Sequence, residues 1–293
     1  MQISQSNCQS YPTDEIIFQL MGLRIFRPHV ADFFRDVVNE SIKLRKEKGI
    51  IRPDLIHILL EAGKNSQSKK SNIDDDITTA DILAQAMIYL VGGFDTISRN
   101  LDFLCYELAL NKSVQDRLRK EIMEFKGATN CKLTYESISK LKYMDSVLSE
   151  TLRKYPVMSG TDRICTKPYV IEPAGPGENP LVIEKDTVVW LPVYSLHHDP
   201  KNFENPEVFD PERFSEENGH SVDPYTYIPF GVGPRNCIGA RFSILNVKAM
   251  VFHLLSNFEL FPSKKTKIPL KWRKNTFFIV PSSDICIEIR RVK

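Results

Sequence analysis

Nowhere in its 293 residues does the chain have an uninterrupted apolar run of about 18 residues, the length a helix needs to cross a bilayer. Its opening, MQISQSNCQSYPTDEIIFQLMGL, lacks the charged start and long apolar stretch of a secretory signal. As written, the sequence carries neither signal nor anchor. Six cysteines (Cys8, Cys105, Cys131, Cys165, Cys237 and Cys286) lie far apart, without a CxxC pair. That spacing excludes a zinc ribbon and a dense disulfide scaffold, and points to a reducing compartment. Charge of one sign is also missing: 39 Lys and Arg against 37 Asp and Glu leave +2, so nothing calls for nucleic acid or an anionic surface as partner. Neither internal repeats nor low-complexity tracts occur. What remains, 42% hydrophobic and 26% charged residues, suits an ordinary globular core in one large or two modest domains.

Periodicity predicts mostly helix. Val30, Phe33, Phe34, Val37 and Val38 mark an amphipathic helix after Pro28, and LIHILLEAG is a second, short apolar segment after Pro53. From Gly63 to Asp76 no apolar period exists, which reads as an exposed loop. Thr78 can cap the next helix with Asp81 three residues on, and Thr79 to Leu110 then runs without proline, roughly 48 Å of helix at 1.5 Å per residue. Being apolar on more than one face, it is expected to run through the protein's middle. Val114, Leu118, Ile122 and Phe125 mark another helix, and Leu141, Met144, Leu148 and Leu152 one that Pro156 stops. Short β-type runs follow at LVIE and TVVWLPV, with Glu184-Lys185-Asp186 as the turn between them, and at FFIV and DICIEI. A last helix, from about Ile238 to Leu255, is expected to carry Phe242, Leu245, Met250 and Leu254 inward.

Four constellations carry chemistry. In PFGVGPRNCIG, Pro229 to Gly239, a cysteine sits in a glycine-rich loop just before a helix, where backbone N–H groups favour an anionic sulfur. Gly231, Gly233 and Gly239 would supply backbone conformations closed to other residues and let a flat ligand approach. The plain alternative is a buried free cysteine in a turn. Gly92-Gly93-Phe94-Asp95-Thr96 puts two helix-weakening glycines beside an acid and a hydroxyl, which predicts a locally opened helix; close helix crossing is the alternative. In SETLRKYP, Glu150 and Arg153 share a helix face and can pair. His197 and His198, in SLHHDP, are adjacent and cannot face one site, so they read as structural.

Together Phe230, Gly231, Gly233, Arg235, Cys237 and Gly239 resemble the haem-binding loop of the cytochromes P450, and the order of motifs along the chain agrees. The resemblance implies a mainly α fold with small β-sheets, residues 1–293 forming its C-terminal haem-binding part. The distal helix would span about 79–110, the ExxR helix about 140–155 and the cysteine loop 229–239. It further implies haem b (iron protoporphyrin IX) ligated by the Cys237 sulfur, whose electron donation favours O–O cleavage. Phe230 would shield that sulfur, and Arg235 and Arg163 would pair with the haem propionates. Thr96 and Asp95 would help deliver protons during oxygen activation. Glu150 and Arg153 match the buried ExxR pair, tied to Arg213 of the PERF-type segment Pro211 to Phe214; they are structural, and removing Glu150 is expected to abolish haem incorporation.

The resemblance runs from about Pro28 to the end and looks most like insect enzymes of the xenobiotic-metabolising kind. Upstream features of membrane-bound members, an anchor helix, a proline-rich hinge, a β-domain and a Trp-bearing helix, are absent from this sequence. The implied activity is monooxygenation of a small lipophilic substrate, with electrons from NADPH-cytochrome P450 reductase and cytochrome b5 as a further partner. Its place would be the cytosolic face of the endoplasmic reticulum membrane, through an anchor not in this chain. The alternative is a truncated, non-catalytic fragment with weak or no haem binding. A thiol enzyme using Cys237 as nucleophile would need an activating base that the loop does not supply.

Overall fold

The computed structural model describes residues 28–68, 78–128, 133–173, 175–274 and 276–292. Cys8, Cys131 and the opening segment lie outside the described residues. The chain divides into two compact units, Met1–Asp95 and Thr96–Lys293, each taken by itself below.

In the first unit, α1 (Pro28–Lys48) and α2 (Leu55–Ser68) lead into α3 (Thr79–Leu110). Proline suits a helix start because its missing N–H would be unpaired there anyway. Val38, Ile42 and Ile82 are buried, with Ile56, Leu59, Leu60, Leu83 and Ala86 packed against them. The α1–α2 corner is held by Arg45, which donates to both carboxylate oxygens of Asp54 at 2.7 Å. That bond holds the Asp54 carboxyl down at about 2. The loop expected from Gly63 to Asp76 does not start at Gly63: α2 continues to Ser68, and residues 69–77 lie outside the described residues. A glycine costs a helix about 1 kcal/mol against alanine, too little to stop one already nucleated upstream.

Thr78 and Asp81 form the expected reciprocal cap of α3. The Asp81 N–H donates to Thr78 Oγ1 at 3.2 Å, and the Thr78 N–H and hydroxyl donate to Asp81 Oδ2 at 2.8 and 2.6 Å. Against expectation, α3 is unbroken across Gly92 and Gly93. Glycine weakens a helix without removing a hydrogen-bond donor, so no opening is required. A Cβ added at either glycine would meet nothing within 4 Å. The expectation that α3 is covered throughout is also corrected. Its C-terminal half buries Phe103, Leu104, Tyr106 and Leu108, whereas Ile88, Leu90 and Phe94 are exposed. An apolar face signals burial only where other elements exist to cover it, and the first unit's apolar cluster takes in only Ile82, Leu83 and Ala86 of α3. By length and composition alone, Ala80–Leu110 is the one helix among the described residues long and apolar enough to cross a membrane. The absence of an uninterrupted apolar run did not reveal this, because Asp95, Arg99 and Asp102 break the run.

In the second unit, the C-terminal half of α3 packs with α4 (Lys112–Ala128), the short α5 (Tyr135–Ile138), α6 (Lys142–Lys154) and α8 (Ala240–Asn257). Leu104, Leu108, Leu118, Ile122, Leu148, Val251 and Leu255 lie at the centre of this core. Gln115 is wholly buried and stitches the core to the sheet: its amide donates to the Leu108 and Leu260 carbonyls at 2.8 and 2.9 Å and accepts from the Leu260 N–H at 2.9 Å. Where α6 begins, no side chain of its own caps it. Glu121 of α4 does so instead, accepting from the N–H groups of Tyr143 and Met144 at 2.8 and 3.0 Å.

The strands β1 (Thr161–Ile164), β2 (Tyr169–Ile171), β3 (Leu181–Ile183), β4 (Val188–Leu191), β5 (Phe258–Pro262) and β6 (Ile287–Arg291) form three antiparallel pairs: β1 with β4, β2 with β3 and β5 with β6. The turn at Glu184 to Asp186 is present, with Asp186 at φ +68°. It does not fold β3 and β4 onto each other, because each already has a partner from earlier in the chain. FFIV forms a single bridge, Phe278 to Met158, and not a strand. Between β4 and the loop before α8 comes α7 (Val193–His198).

Two expectations for the last helix change. It starts at Ala240, and it buries Val247, Val251, Phe252 and Leu255 while leaving Phe242 and Met250 exposed. A helix apolar on several sides does not declare its inward face; packing against α4, α5 and β5 chooses it.

Candidate functional site

The cysteine loop is built from its root. Ile228 is buried and Phe230 packs against the main core. From there the chain turns back: the Gly231 N–H donates to the Ile228 carbonyl at 3.0 Å, and the Cys237 N–H to the Phe230 carbonyl at 2.8 Å. Two residues make that reversal possible, Gly231 at φ +72° and Gly233 at φ +76°, both in the left-handed region where a side chain is strained. Gly239 does not share this role. Its φ is −88°, open to any residue, and it serves as the N-cap of α8; a Cβ there would lie 3.9 Å from Cys237 Sγ, in ordinary contact. The result is an exposed, free Cys237 three residues ahead of α8, flanked by exposed Arg235 and Ile238. Cys105 is the contrast, a core thiol that burial pushes up to about 12.

Behind the loop lies a buried polar cluster. Glu150 and Arg153, both wholly buried, form a two-pronged pair: Nε and Nη2 of the guanidinium donate to the carboxylate at 2.7 and 2.8 Å. The remaining donors reach the carbonyls of His197 at 2.9 Å and Pro206 at 2.7 Å. Glu150 also accepts from the Asp210 N–H at 3.0 Å, and Arg213 Nε approaches it at 3.5 Å, too long for a hydrogen bond but close enough for an ion pair. Arg213 Nη2 donates to the Asn205 carbonyl at 3.0 Å. Burial raises the Glu150 carboxyl above its usual value, against the pull of Arg153.

The expected residues therefore fall into groups. Phe230, Gly231, Arg235, Cys237 and Gly239 share one loop, and Glu150, Arg153 and Arg213 share the cluster behind it. Arg163 stands on β1, half-buried, its Nη1 donating to Thr161 Oγ1 at 3.2 Å and to the Asp162 carbonyl at 2.7 Å. Thr96 lies on α3 in the second unit, four residues after Gly92 and so on the same helix face. Asp95 precedes it, in the first unit.

Sequence reasoning missed two sets of buried contacts. Glu107 of α3 receives hydrogen bonds from Lys154 Nζ and Asn111 Nδ2, each at 2.8 Å, and from the Tyr155 hydroxyl. The second is the set of contacts made by His197, which the sequence reads as structural. Its ring touches both α6 and the root of the cysteine loop, contacts that no sequence period signals.

The family model described as Cytochrome P450 matches residues 2–288. The chain belongs to the cytochrome P450 family. The match begins well upstream of Pro28, where the motifs first made the likeness visible. The chain is 42% identical to Cytochrome P450 9e2 of Blattella germanica over 273 residues, 89% of this chain and 50% of that protein. It is 43% identical to Probable cytochrome P450 6a13 of Drosophila melanogaster over 259 residues, 88% of this chain and 50% of that one. To Cytochrome P450 3A2 of Rattus norvegicus it is 38% identical over 276 residues, 93% of this chain and 52% of that one. The chain thus spans about half the length of the curated relatives it matches.

Haem is the cofactor this P450 family implies, and the loop suits it. An exposed thiol is available as an iron ligand, glycines without Cβ atoms surround it, and Arg235 is exposed beside it.

Proposed function

We propose that this P450 chain holds haem b through Cys237 and acts as a haem-thiolate monooxygenase on a small lipophilic substrate. The observation that carries the reading is the exposed Cys237 presented by a loop that Gly231 and Gly233 turn back on itself. When bound, the haem supplies an iron whose thiolate ligand favours O–O cleavage. Around it this chain's own residues divide the work. Phe230 excludes water from the sulfur, and Arg235 and Arg163 offer guanidinium donors to the propionates. The Thr96 hydroxyl and the Asp95 carboxylate would hold and pass protons during oxygen activation. Glu150, Arg153 and Arg213 keep the loop's support in place. Electrons come from NADPH-cytochrome P450 reductase, with cytochrome b5 as a further donor, at the cytosolic face of the endoplasmic reticulum membrane. Insect and mammalian relatives of 38–43% identity support that setting.

A second reading, a fragment that binds haem weakly and does not turn over, is favoured by the exposed apolar side chains of Phe94 on α3 and of Ile238 and Phe242 around the start of α8. Such surface calls for cover. The reduced, carbon monoxide-bound absorption spectrum separates the two readings. A long-wavelength thiolate band that Cys237→Ala abolishes supports the monooxygenase. No bound haem, or a shorter-wavelength band alone, supports the fragment.

A further inference from the structure

His197 lies at the end of α7 with its side chain wholly buried, and both ring nitrogens are engaged. Nδ1 is 3.1 Å from the Arg153 carbonyl oxygen, and Nε2 is 2.9 Å from the Ile228 backbone nitrogen. A carbonyl can only accept and an amide N–H can only donate, so the partners fix the tautomer: the proton is on Nδ1 and Nε2 accepts. Arg153 answers in kind, its Nη1 donating to the His197 carbonyl at 2.9 Å. Tyr227 stacks on the ring at 5.4 Å, and Phe203 meets it edge-on at 6.4 Å.

From Ile228 the path continues into the cysteine loop, through the Ile228 carbonyl to the Gly231 N–H and the Phe230 carbonyl to the Cys237 N–H. We propose that His197 is a positioning residue, a hydrogen-bonded tether that fixes the root of the cysteine loop to the C-terminal end of α6 and so aims Cys237. Its functional meaning rests on the haem-thiolate reading. The tether shares Arg153 with the Glu150–Arg153–Arg213 cluster but enters the loop through the Ile228 backbone N–H, which donates to the His197 ring and to none of those three side chains. The charged and titratable groups around the ring are Arg153 and Glu150 from α6, Arg213 from the PERF turn, His198 from α7 itself and Tyr227 from the segment before the loop.

Amide hydrogen exchange of the whole chain tests the tether without needing haem. His197→Phe keeps a ring and removes both bonds; His197→Gln can still donate and accept. In the Phe variant the 228–237 segment is expected to exchange about tenfold faster, the factor that losing roughly one net hydrogen bond gives, while α4 and α8 keep their protection. The Gln variant is expected to stay near the parent. Unchanged exchange in the Phe variant, or equal acceleration in both, overturns the proposal. Should the Phe variant fail to fold, acid delivers the same perturbation to the parent, since a protonated ring cannot accept from Ile228. Lowering the pH toward 4 must then release 228–237 before α4 and α8 in the parent and not in the Gln variant; simultaneous release in both sinks the idea. In haem-loaded protein, the share of the thiolate band falls in the Phe variant and recovers in the Gln variant. A parent without any thiolate band would overturn the haem reading, while exchange still decides the tether.

Discussion

Replacing Arg153 with leucine removes one guanidinium that serves four acceptors: the Glu150 carboxylate twice, and the carbonyls of His197, Pro206 and, at 3.4 Å, Val208. Both side chains of the pair are at zero exposure, so solvent cannot take over. Stripping one partner from a buried pair costs about 3–5 kcal/mol, a large share of the roughly 5–15 kcal/mol that holds a domain together. Left alone, Glu150 escapes the cost of a buried charge by keeping a proton, since burial already raises its pKa in the intact pair. A carboxyl raised in the folded state contributes stability that is full below its unfolded value and fades as pH rises. The Arg153→Leu variant should therefore gain stability on going from pH 7 to pH 5, by up to about 1.4 kcal/mol per pH unit, relative to an Arg153→Leu, Glu150→Gln double variant that has no such proton to bind. Urea unfolding followed by the fluorescence of Trp190 and Trp272, the chain's two tryptophans, measures both quantities. A loss below about 1 kcal/mol at pH 7, or a loss independent of pH, would refute the reasoning.

Gln115→Leu removes three buried hydrogen bonds and strands the Leu260 N–H, so about 2–4 kcal/mol of stability should be lost, visible as a lower urea midpoint; a neutral outcome would show that the β5 end relaxes onto another partner. Burial lowers the His197 pKa to about 4, so between pH 6.5 and 4 the unfolded ring takes a proton that the folded one refuses. Stability is thus lost as pH falls through that window, by at most about 3.5 kcal/mol, and His197→Gln should flatten this part of the pH dependence of the urea midpoint; an unchanged slope would count against it. Alkylation read by peptide mass spectrometry should modify Cys237 long before Cys105, whose thiol is buried and pushed up to about 12, and haem should protect Cys237; comparable rates at the two cysteines would contradict the described burial.

What the sequence made legible is what chain-local physics decides. Thr78 and Asp81 announce the start of α3 because a cap is a three-residue event, and Glu150 and Arg153 announce their pairing because i and i+3 share a helix face. The reversal at Gly231 and Gly233 is equally local, and residue type permits the left-handed φ found at both. Gly239 was over-read, because a glycine permits an unusual φ without requiring one. The features that escaped depend on partners far along the chain. Whether Phe242 or Phe252 faces inward is decided by α4 and α5, and whether β3 turns onto β4 is decided by β2 and β1. His197 meets Arg153 and Ile228 across 44 and 31 residues of sequence, so a motif scan sees the imidazole and not its bonds.

On the proposed haem-thiolate reading, the Cys237 thiol has to be open to a large flat cofactor and yet be held still, and the two demands are met at different places. Cys237 and Ile238 stand in the open, while the root beneath them, at Ile228, is 3% exposed and bonded to an imidazole with no exposure at all. Rigidity is thereby supplied from behind, through buried partners on α6 and α7, and access is left free in front. Substitutions should divide along the same line. Those at Glu150, Arg153 or His197 act on folding and on where the loop sits. Those at Gly231 or Gly233 act on the turn itself, since a side chain there is strained whatever the space around it.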